Sequence, residues 1–320
     1  VGVTAGSPRR VSVVVPTRDR PGTLRGALRS IRRLEGPDLE FEILVGDNGT
    51  SAETARIAAE FGARHLRCDR SGAGAARNTA LAAATGDYVA FLDDDDEWTA
   101  EHVRPHLALL ESRPELHGVV GQFVLTDENL EPAVESWPTE LPDDGDLFWS
   151  FLNYFPQLGA TVVRTRVRES VGPFDETLTG DQDWDWHIRL AKTHPVGFVP
   201  VRCVLFRQRR PGEEDALQRQ RIRFTRRVFF RHALPGFRKW PSAVAFLRAY
   251  NRSMSPYFTY FLLAAVRRAK SGDRVGALAA LARTFTLGPV HTMRLLHKPS
   301  PLREAIVDAL DLRGGSRGDI

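Results

Sequence analysis

The sequence predicts an α/β fold with a mostly parallel central sheet, followed by a helical extension. Over the first hundred residues, short runs of strand-forming residues alternate with stretches of helical periodicity, as βαβ units do. The first strand candidate is a continuous apolar run, which suits a strand covered on both faces. From about Leu217 the pattern becomes helical and rich in Arg.

The elements follow in order. Residues 11–15, VSVVV, closed by Pro16, predict a buried strand. Leu24, Leu28 and Ile31 stand at helical spacing and predict a helix over 22–33. FEILVGDN predicts a second strand ending in Asp47 and Asn48. ETARIAAEF, 53–61, predicts a helix, ARHLRC a short strand, and GAARNTALAAAT, 74–85, an Ala-rich helix opened by glycines. DYVAFL, 87–92, is the next strand. A helix is expected over EWTAEHVRPHLALL, with one or two of the preceding aspartates as its cap. VVGQFVLTD, 119–127, reads as a strand and the Pro- and acid-rich residues 131–146 as a loop. Residues 160–176 predict a strand, a short helix and a turn, 183–193 a helix, and 196–208 a strand around Pro200. The segment from Ser255 to Phe285 predicts two helices joined at SGD.

RRPGEED, 209–215, supplies the Pro, Gly and charge of a boundary. We therefore expect an α/β domain over 8–212 and a helical region over 213–320. With only Cys68 and Cys203, no disulfide framework is implied, and a reducing cytoplasm fits. VGVTAGSPRR lacks the apolar region of a signal peptide. FTYFLLAAV, 258–266, is far short of the roughly 20 apolar residues that span a bilayer. The expected location is the cytoplasm, with the inner face of the membrane as a docking surface.

Charge is unevenly spread. Residues 1–200 carry 20 Lys and Arg against 32 Asp and Glu, and residues 201–320 carry 24 against 8. The basic rear suits phosphates, an anionic membrane surface, an acidic partner or a second copy of the chain, with a solvated Arg-rich face as the plain alternative. No zinc spacing or recognition module supports nucleic-acid binding, and the acidic front would repel phosphate.

Ligands in open α/β sheets sit beyond the carboxyl ends of the strands. Three predicted strand ends carry polar groups: Thr17-Arg18-Asp19, Asp47-Asn48 and Asp93 to Asp96. No G-x-G-x-x-G follows the first strand and no G-x-x-x-x-G-K-[ST] occurs, which disfavours dinucleotide and Walker-type sites. Four adjacent aspartates repel one another, and a hard divalent cation such as Mg²⁺ or Mn²⁺ would neutralise them through oxygen ligands. His102 and His106 stand at i, i+4 spacing without H-E-x-x-H, and read as packing or surface residues.

VSVVVPTRDRPGTLRGALRSI, FEILVGDNGT, GAGAARNTALAAATGDYVAFLDDDDEW and QDWDWHIRL arrive in that order. Together they resemble the family 2 glycosyltransferases over residues 10 to 209. The resemblance implies a GT-A nucleotide-sugar fold and an inverting, metal-dependent transfer from a nucleoside-diphosphate sugar. It places Pro16, Thr17 and Asp19 at the nucleobase pocket, and Asp47 on a uracil or thymine, which favours UDP or dTDP. Arg77 falls close to the nucleotide. Asp93-Asp94-Asp95 overlays the D-x-D motif, with Asp95 on the Mn²⁺ or Mg²⁺ and Asp93 or Asp94 on ribose or metal-bound water. QDWDWHIRL resembles E-D-x-D-x-W-x-R-L and puts Asp183 at the catalytic base, which takes the acceptor proton. Gln182 stands where Glu is common, so Asp181 could supply the displaced charge. Trp184 and Trp186 are candidates to flank the acceptor, with the core as the alternative. Arg207, Arg209 and Arg210 follow the last strand, where the family often has a loop over the diphosphate. The acceptor, expected between Asp183 and residues 131–160, could be a glycan, a lipid-linked sugar, a natural product or a polypeptide. Two rivals remain at this stage. A sugar-phosphate nucleotidyltransferase would want a Gly-rich basic loop in place of PTRDRPG, and a non-catalytic nucleotide-sugar module would need no base.

Overall fold

The structure, a computed structural model, describes residues 7–138, 147–153, 156–208, 215–235, 242–288, 292–293, 297 and 304. The chain divides into two compact units, Val1–Phe224 and Thr225–Ile320.

The first unit is built on one mixed sheet. Strands β1 (Arg9–Thr17), β2 (Leu39–Asp47), β3 (Arg64–Arg67) and β4 (Tyr88–Phe91) form a parallel block in the order β3-β2-β1-β4. Helices α1 (Pro21–Arg32), α2 (Ala52–Glu60) and α3 (Ala73–Ala82) make the crossovers. β1 carries valines on both faces because it is covered on both sides; Val11, Val13, Val14 and Val15 are fully buried, and the buried Ser12 accepts from the Gly86 N–H at 2.9 Å. Helix α1 turns Leu24, Ala27, Leu28 and Ile31 onto this core, and Pro21 fixes its first turn. Ser51 caps α2 by accepting from the Glu53 N–H at 3.3 Å.

Beyond β4 the sheet continues through β8 (Thr161–Arg164), β6 (Gly118–Thr126), β9 (Val196–Arg207) and β5 (Glu97–Trp98), with β7 (Pro132–Trp137) on β6. β8 runs antiparallel to β4 and β6, while β6 and β9 are parallel. Helices α4 (Arg104–Ser112), α5 (Leu147–Asn153), α6 (Val167–Val171) and α7 (Gln182–Thr193) complete this half.

Three local expectations need correction. The aspartates do not cap a helix: the chain leaves them through a turn into β5, and α4 starts only at Arg104. Val103, with φ of 64°, breaks the backbone just before it, and Pro105 sits in its first turn. The expected loop over 131–146 contains β7; its later residues, 139–146, lie outside the described residues. Helix α5 has no counterpart among the predicted elements.

Helix α8 (Asp215–Ala233) crosses into the second unit, which also holds α9 (Ala243–Lys270) and α10 (Arg274–Leu287). The α9–α10 turn is SGD, as predicted: Gly272 takes φ of 84° and Asp273 accepts from the Gly276 N–H at 2.8 Å. Phe229 packs against Phe246 and Tyr250, and Thr225 donates to the Tyr257 hydroxyl at 2.8 Å. No described helix is long and apolar enough to cross a membrane.

Candidate active site

Parallel pairing brings the polar strand ends to one edge. Thr17 of β1 lies opposite Asp47 of β2, and β4 ends two residues before Asp93. A cleft of about 270 Å³ opens there, lined by Pro16, Thr17, Arg20, the start of α3 and the turn Asp93–Asp95. Arg18 and Asn48 complete its rim.

Two arginines and a threonine hold the acidic turn. Thr17 Oγ1 donates to Asp94 Oδ2 at 2.7 Å. Arg20 Nη1 donates to Asp94 Oδ1 at 3.1 Å and to Asp95 Oδ2 at 2.7 Å. Arg77 Nη2 donates to Asp93 Oδ1 at 2.5 Å. Behind the turn, Asp96 is 1% exposed; it accepts from the Arg207 N–H at 2.9 Å and from Gln157 Nε2 at 3.2 Å. The Arg207 side chain donates to the carbonyls of Asp95, at 2.6 Å, and Glu128.

Burial and mutual repulsion set the electrostatics. Burial first, then the Asp95 charge, push the Asp94 carboxyl up to about 6, against the pull of Thr17 and Arg20. The same two causes raise Asp96 well above the usual range. Asp93, Asp95 and Asp96 each bring a carboxylate oxygen within 4.8 Å of the others. That all-oxygen set suits a hard divalent cation.

Arg77 is the charged counterpart. Burial opposes its charge, yet Asp93, Asp183 and Asp94 outweigh it and raise its pKa. It is 3% exposed, and its Nε and Nη1 have no hydrogen-bond partner. A buried donor left unpaired costs about 1–3 kcal/mol, so this side chain has the capacity to bind an acceptor. Its position comes from a close backbone approach: a Cβ on Gly46 would lie 2.1 Å from the Ala76 carbonyl oxygen, so only glycine lets α3 sit on β2. Gly72, with φ of 99°, turns the chain into α3, and Asn48 Nδ2 holds its carbonyl at 2.8 Å.

The remaining predicted residues are placed as follows. Asp19 does not face the cleft; at φ of 53° its carboxylate accepts from the N–H groups of Thr50 and Ser51, at 2.6 and 2.9 Å, and so fixes the β2–α2 loop. Asp47 is 1% exposed, with one oxygen on the Gly49 N–H at 2.8 Å and the other against His65 Nε2 at 2.9 Å. It is not among the residues that line the cleft. Asp181 precedes α7 in the left-handed region, φ of 60°, and is buried. Gln182 points back toward Gly74 at the start of α3, with Oε1 buried and unpartnered. Asp183 is half-buried, accepts from the Trp184 N–H at 2.9 Å through Oδ1, and acts electrostatically on Arg77.

Trp184 and Trp186 are core residues, each 1% exposed, and neither ring is open to an acceptor. Trp184 Nε1 donates to the Phe151 carbonyl at 2.6 Å. Trp186 stacks on Phe174 at 5.4 Å, and its indole donates to the Gly172 carbonyl at 3.2 Å. Arg207 braces the acidic turn from behind, while Arg209 and Arg210 lie outside the described residues. Sequence reasoning missed Arg20, Gln157 and the part played by Asp96. Arg20 was legible in PTRDRPG, directly after a strand end; Gln157 carried no signal.

Comparison with known proteins gives a consistent result. The Glycosyl transferase family 2 model matches residues 12–165. A Bacillus subtilis protein named uncharacterized glycosyltransferase YwdF is 26% identical over 238 residues, covering 70% of this chain and 85% of its own. The pre-mycofactocin glycosyltransferase of Mycobacterium tuberculosis is 30% identical over 206 residues, 58% of this chain and 40% of that protein. Among solved structures, S. aureus TarS 1-349 in complex with UDP-GlcNAc shares the fold, with a TM-score of 0.54 at 15% identity over 94% of this chain and 89% of that one.

Proposed function

Residues 12–165 belong to glycosyl transferase family 2, and from that premise we propose that the chain is a metal-dependent, inverting transferase using a nucleoside-diphosphate sugar. One observation carries the reading: a buried Arg77 with two unpartnered donors faces a cluster of carboxylates across a cleft at the strand ends. Such a site takes a ligand bearing both a divalent cation and a diphosphate. UDP-GlcNAc, the ligand of the TarS structure, is of that class, and UDP is the donor nucleotide favoured here over dTDP.

Asp93, Asp95 and Asp96 would hold Mn²⁺ or Mg²⁺, which offsets the charge on the departing diphosphate. Arg77 binds diphosphate oxygens through Nε and Nη1. Thr17, Arg20 and Arg207 keep the turn in place. Asp183 is the base: it takes the proton of the acceptor hydroxyl as that oxygen bonds to the sugar carbon and the bond to the diphosphate breaks. The Trp184 N–H fixes one of its oxygens.

Turnover of a panel of UDP- and dTDP-sugars, with Mn²⁺, with Mg²⁺ and with excess chelator, tests the reading. Turnover is expected only with a cation, and is lost in Asp95→Ala. Asp183→Asn should lose transfer while thermal-shift binding of the donor persists. Equal turnover in chelator, or full activity of Asp95→Ala, would sink the proposal. A module that only binds the donor would bind it equally in Asp183→Asn and turn over nothing in any variant.

A further inference from the structure

Away from the cleft, the first unit buries a second group of ligating side chains. His102, just before α4, His106, in its first turn, and Cys203, on β9, are each fully buried. Each offers a ligand atom, and these atoms lie within 4.8 Å of one another. We propose that His102, His106 and Cys203 bind one thiophilic d¹⁰ cation, Cu⁺ or Zn²⁺, as a structural centre. The proposal is independent of the transferase reading.

Three observations support it. First, neither ring nitrogen of His102 has a hydrogen-bond partner, and Nδ1 of His106 has none. Each such buried atom costs about 1–3 kcal/mol, and three together in a packed core call for a ligand. Second, His106 holds Nε2 against the Ala160 carbonyl at 3.1 Å, with Cys203 Sγ 3.8 Å from the same nitrogen, and leaves Nδ1 without a partner. Metal-bound imidazoles characteristically make that outer contact, which leaves the other nitrogen with a bare lone pair. Third, the pocket is shaped around the sulfur. A Cβ on Gly121 would stand 2.2 Å from Cys203 Sγ and 3.2 Å from the His106 ring. The His102 and His106 rings meet edge to face at 4.6 Å, and Trp98 closes the far side of His102 at 4.5 Å.

The chemistry is consistent with that donor set. Burial holds both imidazoles neutral, with His106 pushed down to about 4, so protons do not compete for their lone pairs. Burial also pushes the Cys203 thiol up, so in the free chain it stays a thiol and donates to the Val201 carbonyl at 3.2 Å. Binding forms the metal–sulfur bond and releases that one proton to solvent. Cu⁺ with one thiolate is neutral and accepts three ligands, which suits a dry core; Zn²⁺ would leave one net positive charge and take a fourth ligand. Ligand atoms around such a cation lie about 3.3–3.8 Å apart for bonds of about 2.0 Å to nitrogen and 2.3 Å to sulfur, so small side-chain rotations close the site.

The centre would tie α4 to β9, the strand whose last residue, Arg207, braces the acidic turn. The test uses the full chain purified without chelator from cells grown with added copper or added zinc. Metal content is measured, and X-ray absorption at the metal edge reads the ligand shell. The expected result is about one equivalent of Cu or Zn per chain with one sulfur and two imidazole nitrogens in the shell, and a higher melting temperature than the same chain stripped of metal. Cys203→Ala should drop the content to below about a tenth and abolish the sulfur shell, whereas Cys68→Ala should change neither. Two outcomes overturn the proposal. One is a wild-type chain with less than about a tenth of an equivalent in every preparation. The other is bound metal with no sulfur in its shell, an all-oxygen shell being the one the acidic turn would give. The wild-type measurement decides the matter even if a variant fails to fold.

Discussion

Replacing Arg77 by Met should separate ligand binding from stability. The guanidinium is 3% exposed, and one of its three nitrogens bonds to Asp93 while Nε and Nη1 bond to nothing. In the proposed complex those two donors meet diphosphate oxygens, and each charge-assisted hydrogen bond contributes about 1.5–3 kcal/mol. Their loss amounts to about 3–6 kcal/mol, a fall in affinity of about 10² to 10⁴ at 1.4 kcal/mol per tenfold. In the free chain two terms oppose. Removing two unpaired buried donors relieves about 2–6 kcal/mol. Stripping Asp93 of its partner costs about 3–5 kcal/mol at full burial, and less here because that carboxylate is 30% exposed. The sum is near zero.

Calorimetry with UDP, pyrophosphate and uridine, and urea unfolding of the free chain, give the two readouts. UDP and pyrophosphate should bind at least about a hundredfold more weakly to Arg77→Met, uridine should be unaffected, and the unfolding free energy should stay within about 2 kcal/mol of wild type. Arg77→Lys should fall between, because an ammonium keeps the charge but not the planar fork. If UDP and pyrophosphate bind within threefold of wild type, Arg77 is a structural cation and the proposed diphosphate contact is wrong.

Four further outcomes are expected. Arg20→Met should bind Mn²⁺ more tightly in a fluorescence or calorimetric titration, because Arg20 Nη1 competes for Asp94 and Asp95; unchanged cation affinity would remove Arg20 from the cation's reach. Gly46→Ala should cost about 3 kcal/mol or more in urea unfolding, since its Cβ meets a backbone oxygen at 2.1 Å that cannot turn away. Trp186→Ala should lose about 3–5 kcal/mol of stability, as a buried indole does, and an acceptor-specific rise in KM at unchanged stability would contradict its core position. Asp38, held at about 2 mainly by Arg104, is depressed in the folded chain, so its stabilisation is present above the unfolded value near 4 and is lost as pH falls toward 2. The gap in urea midpoint between wild type and Asp38→Asn should therefore be constant from pH 5 to 7 and close below about pH 4.

The parallel block was readable because strands buried on both faces are rich in β-branched residues on both, and VSVVV, with four valines in five positions, can be little else. The same holds for the acidic turn, whose charge density is visible in any register. What failed was orientation. Asp19 and Asp47 are the right residue types at the right strand ends. Their carboxylates are taken by the Thr50 and Ser51 amides in one case, and by Gly49 and His65 in the other, partners that only the fold assembles. Trp184 and Trp186 sit two apart on α7, which ordinarily points two rings to different sides of a helix. Both are buried because α5 covers one side and the segment around Gly172 and Phe174 the other, and α5 was not predicted. The helix expected straight after Asp96 failed for a reason the sequence did contain. Pro105 belongs in a first turn, which moves the start of α4 past His102. β7 was hidden by its Pro132 and acidic neighbours, features that an edge strand tolerates and a central one does not.

Four adjacent acids, Asp93 to Asp96, with Asp183 acting on the same Arg77, would be costly if nothing held them. They are tolerated because Arg20, Arg77 and Thr17 already hold three of them, and the Arg207 and Gln157 N–H groups hold the fourth of the run. Two guanidiniums thus offset only part of the clustered negative charge, through interactions that can be exchanged for others. In the proposed complex, a cation arriving with a diphosphate would bring a positive partner for the carboxylates and a negative one for the arginines. Each charge would then trade one partner for another, which is the condition under which charged groups can be kept in a low-dielectric site. Two unpartnered donors on Arg77 are the exception to that balance in the free chain. In the proposed complex the diphosphate oxygens accept from both, so that every nitrogen of Arg77 is paired there.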